Sequence, residues 1–199
     1  AINTGTADVG FVQGGVEIPD DLPRLKLDQS ELILFFMRSG IESPTDVRIV
    51  MTSSEGQGSH SLAKTFFSIW RNNNVTWRHS WRQFTNEDTH ELPAELDAVF
   101  VVKDPMSSSL KGTTARLRDA GFRLVEPDIG TAGMQLDFLE ETSIRPGYLD
   151  PVAHLPAESV RTYSVATYLI ARQDLTPREL AAAAQLARPR NEFPSAFEP

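Results

Sequence analysis

Residues 47–127 alternate short apolar runs with amphipathic stretches, and this constrains the fold more than any other feature of the chain. Arg48–Thr52, Val75–Ser80, Leu96–Val102 and Phe122–Glu126 read as strands. After the first, a helix is predicted from Ser61 to about Asn72, with Leu62, Phe66, Ile69 and Trp70 at helical spacing. Asn72-Asn73-Asn74 would stop it, because Asn tolerates the left-handed conformation at a helix end. Phe84–Pro93 predicts a short helix, and Pro105 starts another through Leu110, Leu117 and Ala120 to Gly121. This is a β-α-β-α-β-α-β series, which right-handed crossovers wind into a mostly parallel sheet flanked by helices. The class is α/β.

The flanks are less regular. Val9–Gln13 reads as a short buried strand ending in the turn Gly14-Gly15, and Val16–Asp28, rich in Pro and Asp, as a connector. Leu32–Arg38 is apolar on both faces, as in a central strand covered by helices. Thr131–Thr142 is expected to be helical, followed by a loop broken by Pro146, Pro151 and Pro156. Tyr163–Ala171 is a strand and Thr176–Arg188 a helix, with Thr176 as N-cap, Pro177 at N1 and Glu179 at N3. Pro189–Pro199 reads as extended.

Composition narrows the function. The 199 residues carry 19 Lys plus Arg against 27 Asp plus Glu, a formal charge of −8. That balance disfavours nonspecific binding to nucleic acid or anionic membranes. A chain this long buries about 70% of its unfolded surface and needs no metal or disulfide to fold. The absence of cysteine excludes disulfides, thiol nucleophiles and Cys-ligated metals. His60, His79, His90 and His154 lack metal-ligand spacing, so neither metal nor cofactor is expected. No Gly-x-Ser-x-Gly elbow is present, and no carboxylate pair can be given acid and base roles from spacing. Glu87-Asp88 beside His90 reads as a solvated helix face, and Trp70, Trp77 and Trp81 as packing residues. No catalytic residue is assigned, and the chain is read as a non-enzyme. No apolar run reaches the roughly 20 residues of a membrane span. The start at Ala1, without a basic-then-apolar leader, reads as a chain processed or cut from something longer.

Three turns offer binding chemistry, each at the carboxyl end of a strand, where open α/β sheets hold ligands. In Ser53–Ser59 the glycines at 56 and 58 admit close backbone approach, and amides at 58–61 would point at a carboxylate or phosphate. An ordinary capped βα turn fits the same residues. Lys103-Asp104 ends the third strand of the series; Lys103 offers an ammonium, while Asp104 either receives an amine or caps the next helix. Gln13-Gly14 presents a neutral amide. The candidate ligand-binding residues are Gln13, Gly14, Ser53, Gly58, Ser59, His60, Lys103 and Asp104.

Four segments carry a family resemblance. Thr6–Gly15 resembles a "Gly-Glu-Val-Asp-Leu-Ala-Phe-Val-Gln" strand, and Glu55-Gly56-Gln57-Gly58-Ser59-His60 a "Glu-Gly-Ser-Gly-Thr" turn. Leu92–Val102 resembles "Leu-x-x-Gly-Glu-Ile-Asp-Ala-Ala-Phe-Phe-Val", and Tyr163–Leu180 a late "Val-x-x-Leu-Leu-Val-Ala-Arg-x-Asp-Leu-Pro" strand. In this order they resemble the TAXI-type solute receptors of tripartite (TRAP) transport systems, within the type 2 periplasmic binding proteins. The resemblance implies two α/β lobes, 1–46 with 128–199 and 47–127, closing over a small carboxylate such as an amino acid or organic acid. Such receptors begin with about two further βα units, so the first lobe is expected to be incomplete. The implied role is extracytoplasmic solute binding, partnered by a membrane transporter. The alternative is a membrane-attached sensory or regulatory domain of the same fold, since fold alone does not choose between them.

Overall fold

The structure, a computed structural model, describes residues 7–79, 92–107 and 109–186. Its elements are β1 (Val9–Gln13), β2 (Arg24–Arg38), β3 (Ile49–Thr52), α1 (Gly58–Ile69), β4 (Thr76–His79), β5 (Ala98–Lys103), α2 (Leu110–Asp119), β6 (Phe122–Val125), β7 (Leu139–Ile144), β8 (Val160–Ala171) and α3 (Pro177–Leu186). The helix expected over Phe84–Pro93 lies almost wholly outside the described residues, as do Trp81, Glu87, Asp88, His90 and the tail Pro189–Pro199.

One eight-stranded sheet runs in the order β1-β8-β2-β5-β3-β4, with β6 also on β2 and β7 on β8. Among the described residues only β3–β4 and β3–β5 pair in parallel; β2 is antiparallel to β5, β6 and β8, and β8 to β1 and β7. The sheet is therefore mixed, which corrects the expectation of a mostly parallel one. The reason is the course of β2. It enters the βαβ series in the reverse direction and lies between β5 and β6, with Phe35 paired to both Phe100 and Val125. Its continuous apolar stretch is what a strand buried on both faces requires, and Ile33–Met37 are all buried. The ladder β2–β5 crosses the lobe boundary expected at 46/47.

Side-chain alternation in β2 divides the interior in two. Ile33, Phe35 and Met37 face α1 and pack with its Leu62, Ala63, Phe66 and Phe67. Leu34 and Phe36 face the other way, toward Leu110 and Leu117 of α2. Phe35, fully buried, sets its ring 5.1 Å from that of Trp70 and 6.0 Å from those of Phe67 and Phe100.

Five local expectations are corrected. None of Val9–Gln13, expected as a buried strand, is buried, and Phe11 is 66% exposed. β2 begins at Arg24, inside the stretch expected as a connector, because its polar first half pairs with β8 from Arg24↔Ile170 onward. Thr131–Thr142 is not an α-helix: a 3-10 turn covers Gly130–Gln135, and β7 follows, pairing with β8 from Leu139↔Val165 to Ile144↔Val160. An open ladder on β8 overrides weak helical spacing there. The helix expected from Pro105 begins at Leu110, since Asp104 Oδ1 accepts the Met106 amide at 2.8 Å and holds a separate turn. At the end of α1 the left-handed residue is Arg71 (φ 58°), and Asn72 instead donates its side-chain amide to the Val47 carbonyl at 2.8 Å. Thr176 and Glu179 form the expected reciprocal cap: Oγ1 accepts the Glu179 amide at 3.3 Å, and the Glu179 carboxylate accepts the Thr176 amide at 2.8 Å.

Candidate functional site

The stripe of β2 that builds the core under α1 turns polar at one end. Glu31, Ile33, Phe35 and Met37 share a face, and only the first is ionisable. Leu32 pairs with Lys103, the last residue of β5, so one step further along β2 sets Glu31 beside Asp104. On β8 the stripe runs Tyr163, Val165, Thr167; Val165 is the partner of Glu31 and Thr167 that of Gln13. The apolar core thus gives way to Gln13, Glu31, Asp104 and Thr167 where α1 begins.

A cleft of about 1080 Å³ opens there. Of the residues singled out in the sequence, Gln13, Ser53, Gly58, Ser59, Lys103 and Asp104 line it. They come from β1, the β3–α1 turn and the end of β5, so the fold gathers at one place three turns that are far apart in the chain.

The start of α1 has no side-chain cap from Gln57, whose backbone is extended (φ −88°, ψ 160°). Ser53 Oγ accepts the His60 amide at 3.0 Å, and the Gln57 carbonyl accepts the Ser61 amide at 3.0 Å. The capacity of this helix end to bind an anion therefore rests on the amides of Gly58 and Ser59. The Ser59 hydroxyl is otherwise engaged: Oγ accepts the buried Val102 amide at 3.0 Å. Gly58 is needed for close approach, since a Cβ there would lie 2.0 Å from Gln13 Oε1. The Gln13 carboxamide rests on the helix start and donates through Nε2 to the Glu31 carboxylate, while its Oε1 is buried with no hydrogen-bond partner among the described residues.

Glu31, which spacing did not single out, is the principal addition. Burial pushes its carboxyl upward; the hydrogen bond from Gln13 opposes that, and the like charge of Asp104 adds to it. The legible signal was an acid ending an apolar period-two stripe. Thr167 interrupts the apolar stripe on β8, which resumes at Leu169 and Ala171.

Gly14 and His60 do not line this cleft. Gly14 donates to the Ala166 carbonyl at 2.8 Å and lies at a smaller hollow with Phe138 and Tyr168. The His60 side chain is buried, with its ring 5.5 Å from Trp77 and 5.2 Å from His79. Burial, then the charges of His79 and Lys64, hold its pKa below the ordinary histidine value. Among the described residues no group of three or more His, Asp or Glu is placed to hold a metal ion, and no helix is long and apolar enough to cross a membrane.

The chain matches no family model and no curated protein. Solved structures of similar course include a mutant of the OxyR2 regulatory domain from Vibrio vulnificus, 15% identical, covering 94% of this chain and 72% of that one with a TM-score of 0.48. A reduced form of OxyR from N. meningitidis is 11% identical, with coverages of 94% and 72% and a TM-score of 0.46. The regulatory domain of MexT, a transcriptional activator in Pseudomonas aeruginosa, is 14% identical, with 94% and 76% covered and a TM-score of 0.40. At identities this low no residue correspondence follows. What the topology and cleft define is an α/β domain with a mixed sheet and a polar cleft at strand ends.

Proposed function

We propose that this chain is a non-catalytic ligand-binding domain of the type 2 periplasmic-binding-protein kind, taking a small carboxylate-bearing ligand in the cleft at the start of α1. The observation that carries the reading is that Gln13, Gly58, Ser59 and Lys103, from three separate strand ends, line one cleft at the start of α1. A ligand carboxylate placed at Gly58 and Ser59 meets amides without an acceptor among the described residues, and the positive end of the helix dipole. Gln13 and Glu31 on one side and Ser53, Gly58 and Lys103 on the other line the cleft, and although the β2–β5 ladder joins the two sides in one sheet, a ligand that touches both would select a closed state of the cleft.

Two uses follow from one binding event. In the first the domain is an extracytoplasmic TAXI-type receptor delivering its ligand to a TRAP-type membrane component, a reading that rests on the four ordered motifs between Thr6 and Leu180. In the second, closure reports the ligand to an attached sensory or regulatory partner. The cleft serves either.

Native mass spectrometry of the gently purified chain, with a denatured control, tests the binding itself. A small carboxylate retained in the native spectrum and absent from the denatured one is the expected result. An apo mass, together with no thermal shift across a panel of amino and organic acids, would overturn it.

A further inference from the structure

We propose that the outer edge of β1 is a docking site for an extended segment of a partner protein, apolar in its middle and basic at its ends, which pairs with β1 as a further strand of the sheet. The proposal does not depend on what the cleft at α1 binds.

β1 stands at one end of the sheet order, with β8 as its neighbour among the described residues. The Arg172 amide donates to the Asp8 carbonyl at 2.9 Å, and the Gly14 amide to the Ala166 carbonyl at 2.8 Å. Both bonds continue the register that runs from Val9↔Ala171 to Gln13↔Thr167. Residues of an antiparallel strand alternately face the partner and turn away from it. With Asp8 and Gly14 turned toward β8, Gly10 and Val12 are too, so Val9 and Phe11 direct their N–H and C=O outward. Among the described residues nothing pairs with those groups.

Proteins ordinarily blunt such an edge with a charge, a proline or a bulge. Val9-Gly10-Phe11-Val12-Gln13 has no charged residue and no proline, and its register to β8 is unbroken. Both faces beside it are apolar. On one, Val9 (37% exposed) and Phe11 border a hollow of about 450 Å³ with Leu169 and with Ala182 and Ala183 of α3. On the other, Val12 borders a hollow of about 360 Å³ with Ile18, Leu22 and Ile170. An added strand sends successive side chains to alternate faces, so one apolar segment fills both hollows.

Charge selects the occupant. Asp8 and Glu179 line the first hollow and Glu17 the second, and among the described residues no Lys or Arg lines either. Arg172, beside Asp8, is held between Asp8 at 3.1 Å and Asp174 at 2.7 Å. A second copy of the chain would bring the same acids and a formal charge of −8 against this rim, and is repelled. A segment whose apolar middle is flanked by Lys or Arg is attracted to it, while the backbone ladder fixes its course.

The test is isothermal titration of the full chain with the peptide acetyl-Lys-Lys-Val-Ile-Val-Lys-Lys-amide. Its comparators are the same peptide with Glu for Lys, one N-methylated at the Ile, and one N-methylated at both Val. The parent is expected to bind; the Glu peptide and one of the two N-methylated peptides, whichever has lost the N–H groups that face β1, are expected to bind about tenfold more weakly or worse. Amide exchange at Val9 and Phe11 is expected to slow about tenfold in the complex. Phe11→Pro removes an outward N–H and no bond to β8, as edge strands allow, and is expected to lose the peptide. Glu17→Lys keeps the backbone edge and is expected to weaken binding about threefold or more. Circular dichroism establishes that each variant is folded; should Phe11→Pro not fold, the N-methylated peptides and the exchange rates decide alone. Equal binding of the Glu peptide or of both N-methylated peptides, or unchanged exchange at Val9 and Phe11, would overturn the proposal. So would an absence of binding at about 1 mM peptide. A mass that doubles with concentration in light scattering, and that Phe11→Lys returns to the monomer, would give the edge to a second copy and overturn it as well.

Discussion

Ser59 Oγ accepts the amide of Val102 at 3.0 Å, with both residues buried, and this joins the first turn of α1 to the end of β5. The two are 43 residues apart in the chain. Ser59 is therefore a positioning residue for the cleft as well as a member of its lining.

Ser59→Ala removes the acceptor and leaves the Val102 amide buried without a partner. The expected cost is about 1–3 kcal/mol of folding stability, read as a lower urea midpoint with an unchanged slope. A variant with the wild-type midpoint would show that this bond does not hold the turn.

Gly58→Ala places a methyl group 2.0 Å from Gln13 Oε1 and 2.7 Å from its Cδ, so the carboxamide must leave its place beside Glu31. The cost of this substitution is expected to shrink once Gln13 is itself replaced by Ala. A double-mutant cycle should give a coupling of about 0.5–3 kcal/mol. Strict additivity would mean that the two residues do not meet.

The pH dependence has two parts of opposite sign. His60 is held below the ordinary histidine value, first by burial and then by the charges of His79 and Lys64. As the pH falls below about 6.5, the unfolded chain takes up a proton that the folded chain resists. The His60 contribution is thus fully present above that pH and is lost as pH falls through the lowered folded value. Glu31 is raised, chiefly by burial. Its folded form keeps a proton that the unfolded chain releases, so its contribution is present below the ordinary glutamate value and is lost as pH rises through the folded one. Urea midpoints of the wild type and His60→Asn between pH 5 and 8 isolate the first; the variant should show a flatter fall toward pH 5. Glu31→Gln isolates the second. Parallel curves for the wild type and His60→Asn would count against the histidine assignment.

Phe35 has no exposed surface and packs against Phe67, Trp70 and Phe100. Phe35→Ala should cost about 3–5 kcal/mol. Phe11, 66% exposed on β1, provides the contrast: Phe11→Ala should stay within about 0.5 kcal/mol. Equal losses at the two positions, measured by denaturant titration, would contradict the layering of the core.

Much of the architecture could be read from residues close together in the chain. The strand at Val9–Gln13 and the cap Thr176–Glu179 stand where spacing put them, because each depends on side chains within a few residues of one another. The three turns that line the cleft were also visible as strand ends, since Gly56, Gly58, Asp104 and Pro105 punctuate the backbone wherever they occur. Glu31 was passed over because nothing in its immediate neighbourhood distinguishes it. Its meaning depends on Gln13, 18 residues earlier, and on Asp104, which only the β2–β5 register brings beside it. His60 was placed in the wrong environment for a related reason: the glycine turn beside it was legible, but the face its helix presents to Trp77 and His79 was not.

The amino-acid sequence by itself determined the α/β class, the strand–turn–helix units and the turn chemistry, because these follow from side-chain periodicity and from what Gly, Pro and capping residues do locally. Tertiary structure alone decided that β2 runs backwards between β5 and β6, that Leu139–Ile144 is a strand, and that Gln13, Glu31 and Asp104 share one wall. Ladder pairing uses backbone groups that every residue but proline carries in full, so the choice among possible partners is made by burial over the whole sheet, and no short segment records it.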